Sequence, residues 1–195
     1  CGPELWLESP AGERIEPVGE LFSWLTQQLK AGQILAIKGL GGFHLACDGS
    51  NADAVEKLRQ RKFRPAKPFA LMVPDDDWVR ELCHVSETEA SLLHAPQAPI
   101  LLLRAKATTE KSAAMSLLVA GKSSELGLML PYTPLQCLLM DLWRKPLIVT
   151  SGNRADEPLC TDEYEALETL ADIADYLLVH NQPIHRYVDD SVIRM

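Results

Sequence analysis

Residues 60–73, Gln-Arg-Lys-Phe-Arg-Pro-Ala-Lys-Pro-Phe-Ala-Leu-Met-Val, constrain the fold more than any other stretch. Pro65 and Pro68 have no amide hydrogen and disfavour helix at the residue before each. A helix arriving here must therefore stop, and the chain leaves it stiff and extended. Residues 69–73 then read as a buried strand. Between helix and strand fall four cations, Arg61, Lys62, Arg64 and Lys67. On a rigid rim, guanidinium and ammonium groups give charge-assisted hydrogen bonds to phosphate or carboxylate, which makes the stretch a candidate polyanion seat. Cations also gather at helix C-termini to face the dipole, and the residues alone leave both readings open. In the first reading Lys62 and Arg64 project from the rim and can be truncated without harm to the fold.

The chain as a whole is acidic, with a net charge of −8 over 195 residues. That total counts against nucleic-acid binding, which relies on distributed cations to displace counterions, and suits a small anionic ligand held in a local basic cleft. Cys1, Cys47, Cys83, Cys137 and Cys160 are scattered and odd in number, which indicates neither a disulfide framework nor a zinc site closed within the chain. A reducing cytoplasm is the expected compartment. No apolar run reaches the roughly 18 to 20 residues of a membrane span, and no signal-peptide pattern is present. A start at Cys1 rather than Met suggests a domain excised from a longer protein.

Hydrophobic patterning predicts alternating strands and helices. Leu5 and Leu7 mark a possible edge strand, followed by a turn at residues 9–12. A helix over 20–30 ends near Gly32, a buried strand follows at 34–37, and Lys38-Gly-Leu-Gly-Gly-Phe-His44 makes a glycine-rich turn whose backbone could approach a ligand closely. Asn51 caps a helix running toward Lys62, and the strand after Pro68 completes a βαβ unit with the cations at its crossover. A helix over 75–83, a capping box at Ser86 and Glu89, and a strand at 100–103 come next. Residues 106–124 are polar with one short apolar patch and are expected to form a mobile loop. Thr133, Pro134 and Gln136 start a helix, residues 146–150 form a strand ending in Ser151-Gly-Asn153, and a helix from about Thr161 precedes a strand at 176–179. This alternation predicts an α/β fold with helices packed on a largely parallel or mixed sheet.

Stock phosphate motifs are absent. The Gly-Lys-Ser at 121–123 lacks the preceding glycine of a P-loop, and His44 interrupts a Gly-x-Gly-x-x-Gly pattern. Ser151 and Asn153 lie at the end of an apolar strand, where open α/β sheets bind ligands, although Ser-Gly-Asn is also ordinary turn chemistry. No Ser-His-Asp order marks Ser151 as a nucleophile. Arg186 and Asp189 could provide a phosphate contact and a ligand for hydrated magnesium, or simply pair with each other.

Taken in order, residues 37–48, 59–72, 128–134, 150–153 and 186–191 resemble the YrdC-like domain of hydrogenase-maturation carbamoyltransferases of the HypF family, within the Sua5/YrdC superfamily. The resemblance implies a twisted open mixed sheet with helices packed on it and a basic concave cleft. Cys1-Gly-Pro3 is similar to the end of the zinc-finger region that precedes this domain, so residues 1–15 are expected to be a tail or linker and residues 16–195 the nucleotide-binding domain. Zinc would belong only to the neighbouring region.

The wider family carries a Lys-x-Arg pair and a Ser-x-Asn turn, which fall here on Lys62, Arg64, Ser151 and Asn153. Adenylation is the implied chemistry: carbamate derived from carbamoyl phosphate attacks the α-phosphate of ATP, giving carbamoyl-AMP and pyrophosphate for cyanide-ligand maturation of [NiFe]-hydrogenase. Lys62, Arg64 and Lys67 would neutralise the phosphates, Thr133, Ser151, Asn153 and Arg186 would complete the nucleotide set, Lys38 and His44 would hold the carbamate, and Asp189 would bind Mg2+. Implied partners are Kae1-like and acylphosphatase domains of the same protein and, as carbamoyl acceptor, the maturation protein HypE, with no membrane. Two alternatives stand beside this reading. A threonylcarbamoyl-AMP synthase is disfavoured because Lys38 would repel the ammonium of threonine, and a double-stranded RNA-binding module is disfavoured by the acidic total.

Overall fold

The computed structural model describes residues 2–106, 109–155 and 157–195. Cys1, on which the likeness to a zinc-finger tail partly rests, lies outside the described residues. A ten-stranded twisted sheet runs through the molecule, with helices on both faces. In chain order the elements are β1 (Leu5–Glu8), β2 (Arg14–Ile15), α1 (Leu21–Lys30), β3 (Leu35–Lys38), β4 (Phe43–Asp48), α2 (Ala52–Arg61), β5 (Ala70–Met72), α3 (Asp76–Leu82) and α4 (Glu87–Leu93). Then follow β6 (Ile100–Arg104), α5 (Glu110–Ala120), β7 (Glu125–Met129), α6 (Pro134–Trp143), β8 (Leu147–Ser151), α7 (Glu163–Leu170), β9 (Tyr176–His180) and β10 (Val192–Arg194).

Spatially the strands lie in the order β10-β6-β7-β5-β8-β4-β3-β9-β1-β2. Strand β8 runs antiparallel to both β4 and β5, so the latter two are parallel to each other with one strand between them. Successive strand residues face opposite sides of a sheet, and the buried residues obey that rule. Ala36, Leu45 and Ile148 face a core closed by α2, α3, α4, α5 and α7, while Leu35, Ala46 and Val149 face a second core closed by α1 and α6. Both faces being covered explains why the central strands are apolar at consecutive positions.

Two expectations change, and one strand is added. Residues 106–124 do not form a mobile loop: apart from 107 and 108, which lie outside the described residues, they hold α5, whose Met115, Val119 and Ala120 are buried. Its N-cap Thr109 pairs with Ser112 instead of the Glu or Gln that normally signals a capping box, which hid the helix start. Strand β1 is not at the edge, since β2 covers it on one side and β9 on the other. The segment 1–15 thus contributes strands to the sheet. Finally, residues 192–194 form β10, parallel to β6, at the opposite edge.

Candidate functional site

Helix α2 decides where the cations go. Its apolar residues Ala54, Val55 and Leu58 seat it on the sheet, and Asp175 fixes its far half by accepting from Lys57 Nζ at 2.6 Å and Arg61 Nη1 at 2.9 Å, along with the Ile34 amide at 2.8 Å. Arg61, one of the four clustered cations, is therefore a structural residue facing away from the other three. The helix ends in a Schellman turn, with the Arg64 amide bonded to the Arg59 carbonyl at 2.9 Å and the Phe63 amide to that of Gln60 at 3.2 Å. Such a turn needs a left-handed residue at its bend, and here that residue is Phe63, at φ 52°.

Beyond the turn, Lys62 and Arg64 reach the end of β8. Lys62 is 3% exposed, so it does not project from the rim as the sequence suggested. Its ammonium donates at 2.7 Å to the Ser151 carbonyl, the Asn153 carbonyl and Asn153 Oδ1. Arg64, half-buried, donates from Nη1 to Thr150 Oγ1 at 3.2 Å, and from Nη2 to the Pro68 carbonyl, while its guanidinium lies over the Phe69 ring. Arg59 stiffens the segment from behind, donating to the carbonyls of Arg64 and Lys67 and to those of Leu118 and Val119 at the end of α5. Among the described residues neither Lys62 nor Arg64 pairs with a carboxylate. Burial first, and then the charge of Arg64, with a smaller contribution from Lys67 and partial opposition from Cys160 and Asp189, push the Lys62 pKa down to about 8. Burial and the charge of Arg59 lower that of Arg64.

The Ser151-Gly-Asn153 turn is shaped by contact with β4. Gly152 donates to the Phe43 carbonyl at 2.7 Å, and a Cβ there would fall 2.6 Å from that oxygen, so only glycine fits. Ser151 Oγ donates to Asn153 Oδ1 at 2.7 Å. Lys62, Phe63, Arg64, Lys67, Ser151 and Asn153 line a cleft of about 340 Å³, and the ammonium of Lys67, exposed there, makes no hydrogen bond or ion pair among the described residues, although the Lys67 carbonyl accepts from Arg59.

His44 is the register partner of Ser151 on the neighbouring strand, which places both side chains on the α1 and α6 face. Its Nε2 lies 3.2 Å from Asp190 Oδ2, and its Nδ1 is turned toward Gly39. Tyr132 completes this second group: burial first, and then the charge of Asp190, raise its phenol pKa. Sequence reasoning singled out Asp189, but Asp190 is the carboxylate that joins His44. Asp189 accepts from the Asp190 amide at 2.9 Å and is near enough to Lys62 to act on its charge.

Other expected site residues are placed differently. Lys38 is buried against α7, donating to Glu163 Oε2 at 3.1 Å and to the His180 carbonyl at 3.0 Å. Alternation along β3 points it to the face opposite His44, so the two do not share a carbamate seat. Nor is the glycine turn between them open to a ligand. A Cβ on Gly41 would meet the Val188 carbonyl at 2.2 Å, and one on Gly42 would meet Leu159 at 2.2 Å, so the chain's own residues make the close approach. Thr133 is buried and accepts from the Gln136 amide as the N-cap of α6. Arg186 is exposed in the segment leading to β10 and makes no hydrogen bond or ion pair among the described residues. No three-residue metal cluster occurs among the described residues, and none of their helices is long and apolar enough to cross a membrane.

Comparison with known proteins fits this arrangement. Residues 27–195 match the Sua5/YciO/YrdC family profile, described as "Telomere recombination". Carbamoyltransferase HypF of Rhodobacter capsulatus is 47% identical over 195 residues, which is all of this chain and 25% of that protein. A crystal structure of full-length HypF in the phosphate- and nucleotide-bound form superposes with a TM-score of 0.88 at 41% identity, covering 100% of this chain and 24% of that one. More distantly, threonylcarbamoyl-AMP synthase of Vibrio campbellii is 25% identical over 155 residues, 77% of this chain and 82% of that protein. The chain spans about a quarter of the length of the HypF proteins it matches. With sheet, motif order and profile agreeing over most of its residues, the chain belongs to the Sua5/YrdC family and corresponds to the YrdC-like domain of HypF carbamoyltransferases.

Proposed function

We propose that this domain binds ATP at the Lys62 and Arg64 end of β8 and forms carbamoyl-AMP and pyrophosphate from ATP and carbamate. One observation carries the reading: two cations with lowered pKa values are held side by side by neutral oxygens alone, a charge arrangement completed by an anion. The nucleotide-bound form of a HypF relative supports a nucleotide as that anion.

In this reaction a carbamate oxygen forms a bond to the α-phosphorus, the bond from that phosphorus to the bridging oxygen breaks, and pyrophosphate leaves. Lys62, Arg64 and Lys67 stabilise charge on the phosphates, and the bonds from Lys62 and Ser151 fix Asn153 beside them. Of the two residues expected to hold the carbamate, His44, paired with Asp190, is the one on the Ser151 face of the sheet. Asp189 would supply a carboxylate to a Mg2+ bound with ATP, and the ion would neutralise charge on the phosphates. In this scheme the nucleotide-binding domain is residues 16–195 together with the strands β1 and β2 that residues 1–15 add to its sheet. Carbamate would arrive from carbamoyl phosphate cleaved by an acylphosphatase domain, and a Kae1-like domain of the same cytoplasmic protein would pass the carbamoyl group to HypE for the cyanide ligand of [NiFe]-hydrogenase.

The similarity to a threonylcarbamoyl-AMP synthase keeps threonine as the second reading. The like-charge argument against threonine weakens, because it needs Lys38 free in the pocket. Incubation with ATP, Mg2+ and either carbamate or threonine with bicarbonate, followed by mass identification of the adenylate, separates the two. Carbamoyl-AMP is the expected product; threonylcarbamoyl-AMP would replace this reading with the second.

A further inference from the structure

Resting on that reading, we infer that Phe63 is the platform on which the base of the bound nucleotide stacks. Phe63 adopts φ 52°, in the left-handed region that glycine or asparagine normally fills at a helix C-terminus, yet the residue is 79% exposed. An aromatic residue in that conformation costs stability, and burial in this chain does not repay it. The backbone on either side is pinned: Lys62 and Arg64 anchor to β8, and the Schellman bonds fix the Phe63 peptide. The ring therefore stands preorganised on the wall of the cleft that Lys62, Arg64, Lys67 and Asn153 line, next to the seat for the phosphates. A π-face beside a phosphate site accepts any base without reading its edges.

Calorimetric titration of the chain with ATP and with inorganic tripolyphosphate tests this, using the wild type, Phe63→Tyr and Phe63→Gly. Glycine keeps the left-handed turn and removes only the ring. Wild type should bind ATP more tightly than tripolyphosphate. Phe63→Gly should lose about tenfold or more in ATP affinity with tripolyphosphate unchanged, and Phe63→Tyr should match the wild type. Unchanged ATP affinity in Phe63→Gly overturns the inference, as does an equal loss for both ligands or a wild type that does not prefer ATP. A wild type that binds neither ligand instead overturns the anion seat itself, and the platform falls with it.

Discussion

The Lys62 ammonium holds both the main-chain and the side-chain oxygen of Asn153, each at 2.7 Å. With the Ser151 carbonyl as third acceptor, every donor of this cation is committed to one turn. Lys62 therefore sets the shape of the Ser151 to Asn153 turn as well as the charge of the cleft.

Lys62→Ala should accordingly lose both properties. Its removal strands half-buried oxygens of Ser151 and Asn153, which costs about 1 to 3 kcal/mol, and takes away a charge from the phosphate seat. Urea denaturation should show the first loss and calorimetry with ATP the second. A folded variant with undiminished ATP affinity would remove Lys62 from the site.

The lowered pKa gives stability and binding opposite pH trends. Below about pH 8 the buried cation lowers stability relative to the unfolded chain, where lysine titrates near 10.5. Between those values the unfolded chain binds more protons, so the wild type should gain stability on Lys62→Met as pH rises. ATP affinity should fall over the same range as the ammonium deprotonates. Parallel trends would contradict a depressed Lys62.

Ser151→Ala should slow adenylate formation by about 2- to 10-fold, the loss of one neutral hydrogen bond, without abolishing it. Ser151 Oγ donates to Asn153, and its register partner His44 has its Nε2 engaged by Asp190 and its Nδ1 turned toward Gly39. No base activates the hydroxyl. A covalent intermediate trapped on Ser151 and detected by mass spectrometry would refute the positioning role.

Asp175→Asn should destabilise the protein by about 1 to 3 kcal/mol at neutral pH and loosen the delivery of Lys62. Burial works against this carboxylate, but bonds from Lys57, the Ile34 amide and Arg61 outweigh it and hold its pKa below the ordinary 3.8. The stabilisation is complete above that value and is lost as pH falls through the lowered pKa. Denaturation curves of wild type and variant should therefore converge only in strong acid, and a constant gap would exclude Asp175 as the source.

Local rules made much of this legible from the residues. Asn51, Ser86 and Thr133 act as the caps that their side chains announced, and the helix starting at Asn51 ends, as its sequence indicated, near Lys62. What stayed hidden depends on partners distant in sequence. Nothing around Arg61 shows that Asp175 claims it, and nothing around Lys38 shows that Glu163 starts the helix it faces. Asp190 and Asp189 are indistinguishable by type and position, and only the path of the segment before β10 selects Asp190 for His44.

Strand β8 lies antiparallel between the two strands that α2 connects, and this arrangement sets an order of events. The loop leaving α2 must cross the end of whichever strand fills that gap, which is why Lys62 meets carbonyls 89 and 91 residues away. A partly folded chain with α2 docked but β8 not yet inserted has no acceptors for the ammonium. Closing so long a loop is slow, so the cleft assembles only when the sheet does. Competence to hold an anion and completion of the sheet are thus a single cooperative event, and bound nucleotide would favour the completed sheet over every partial one.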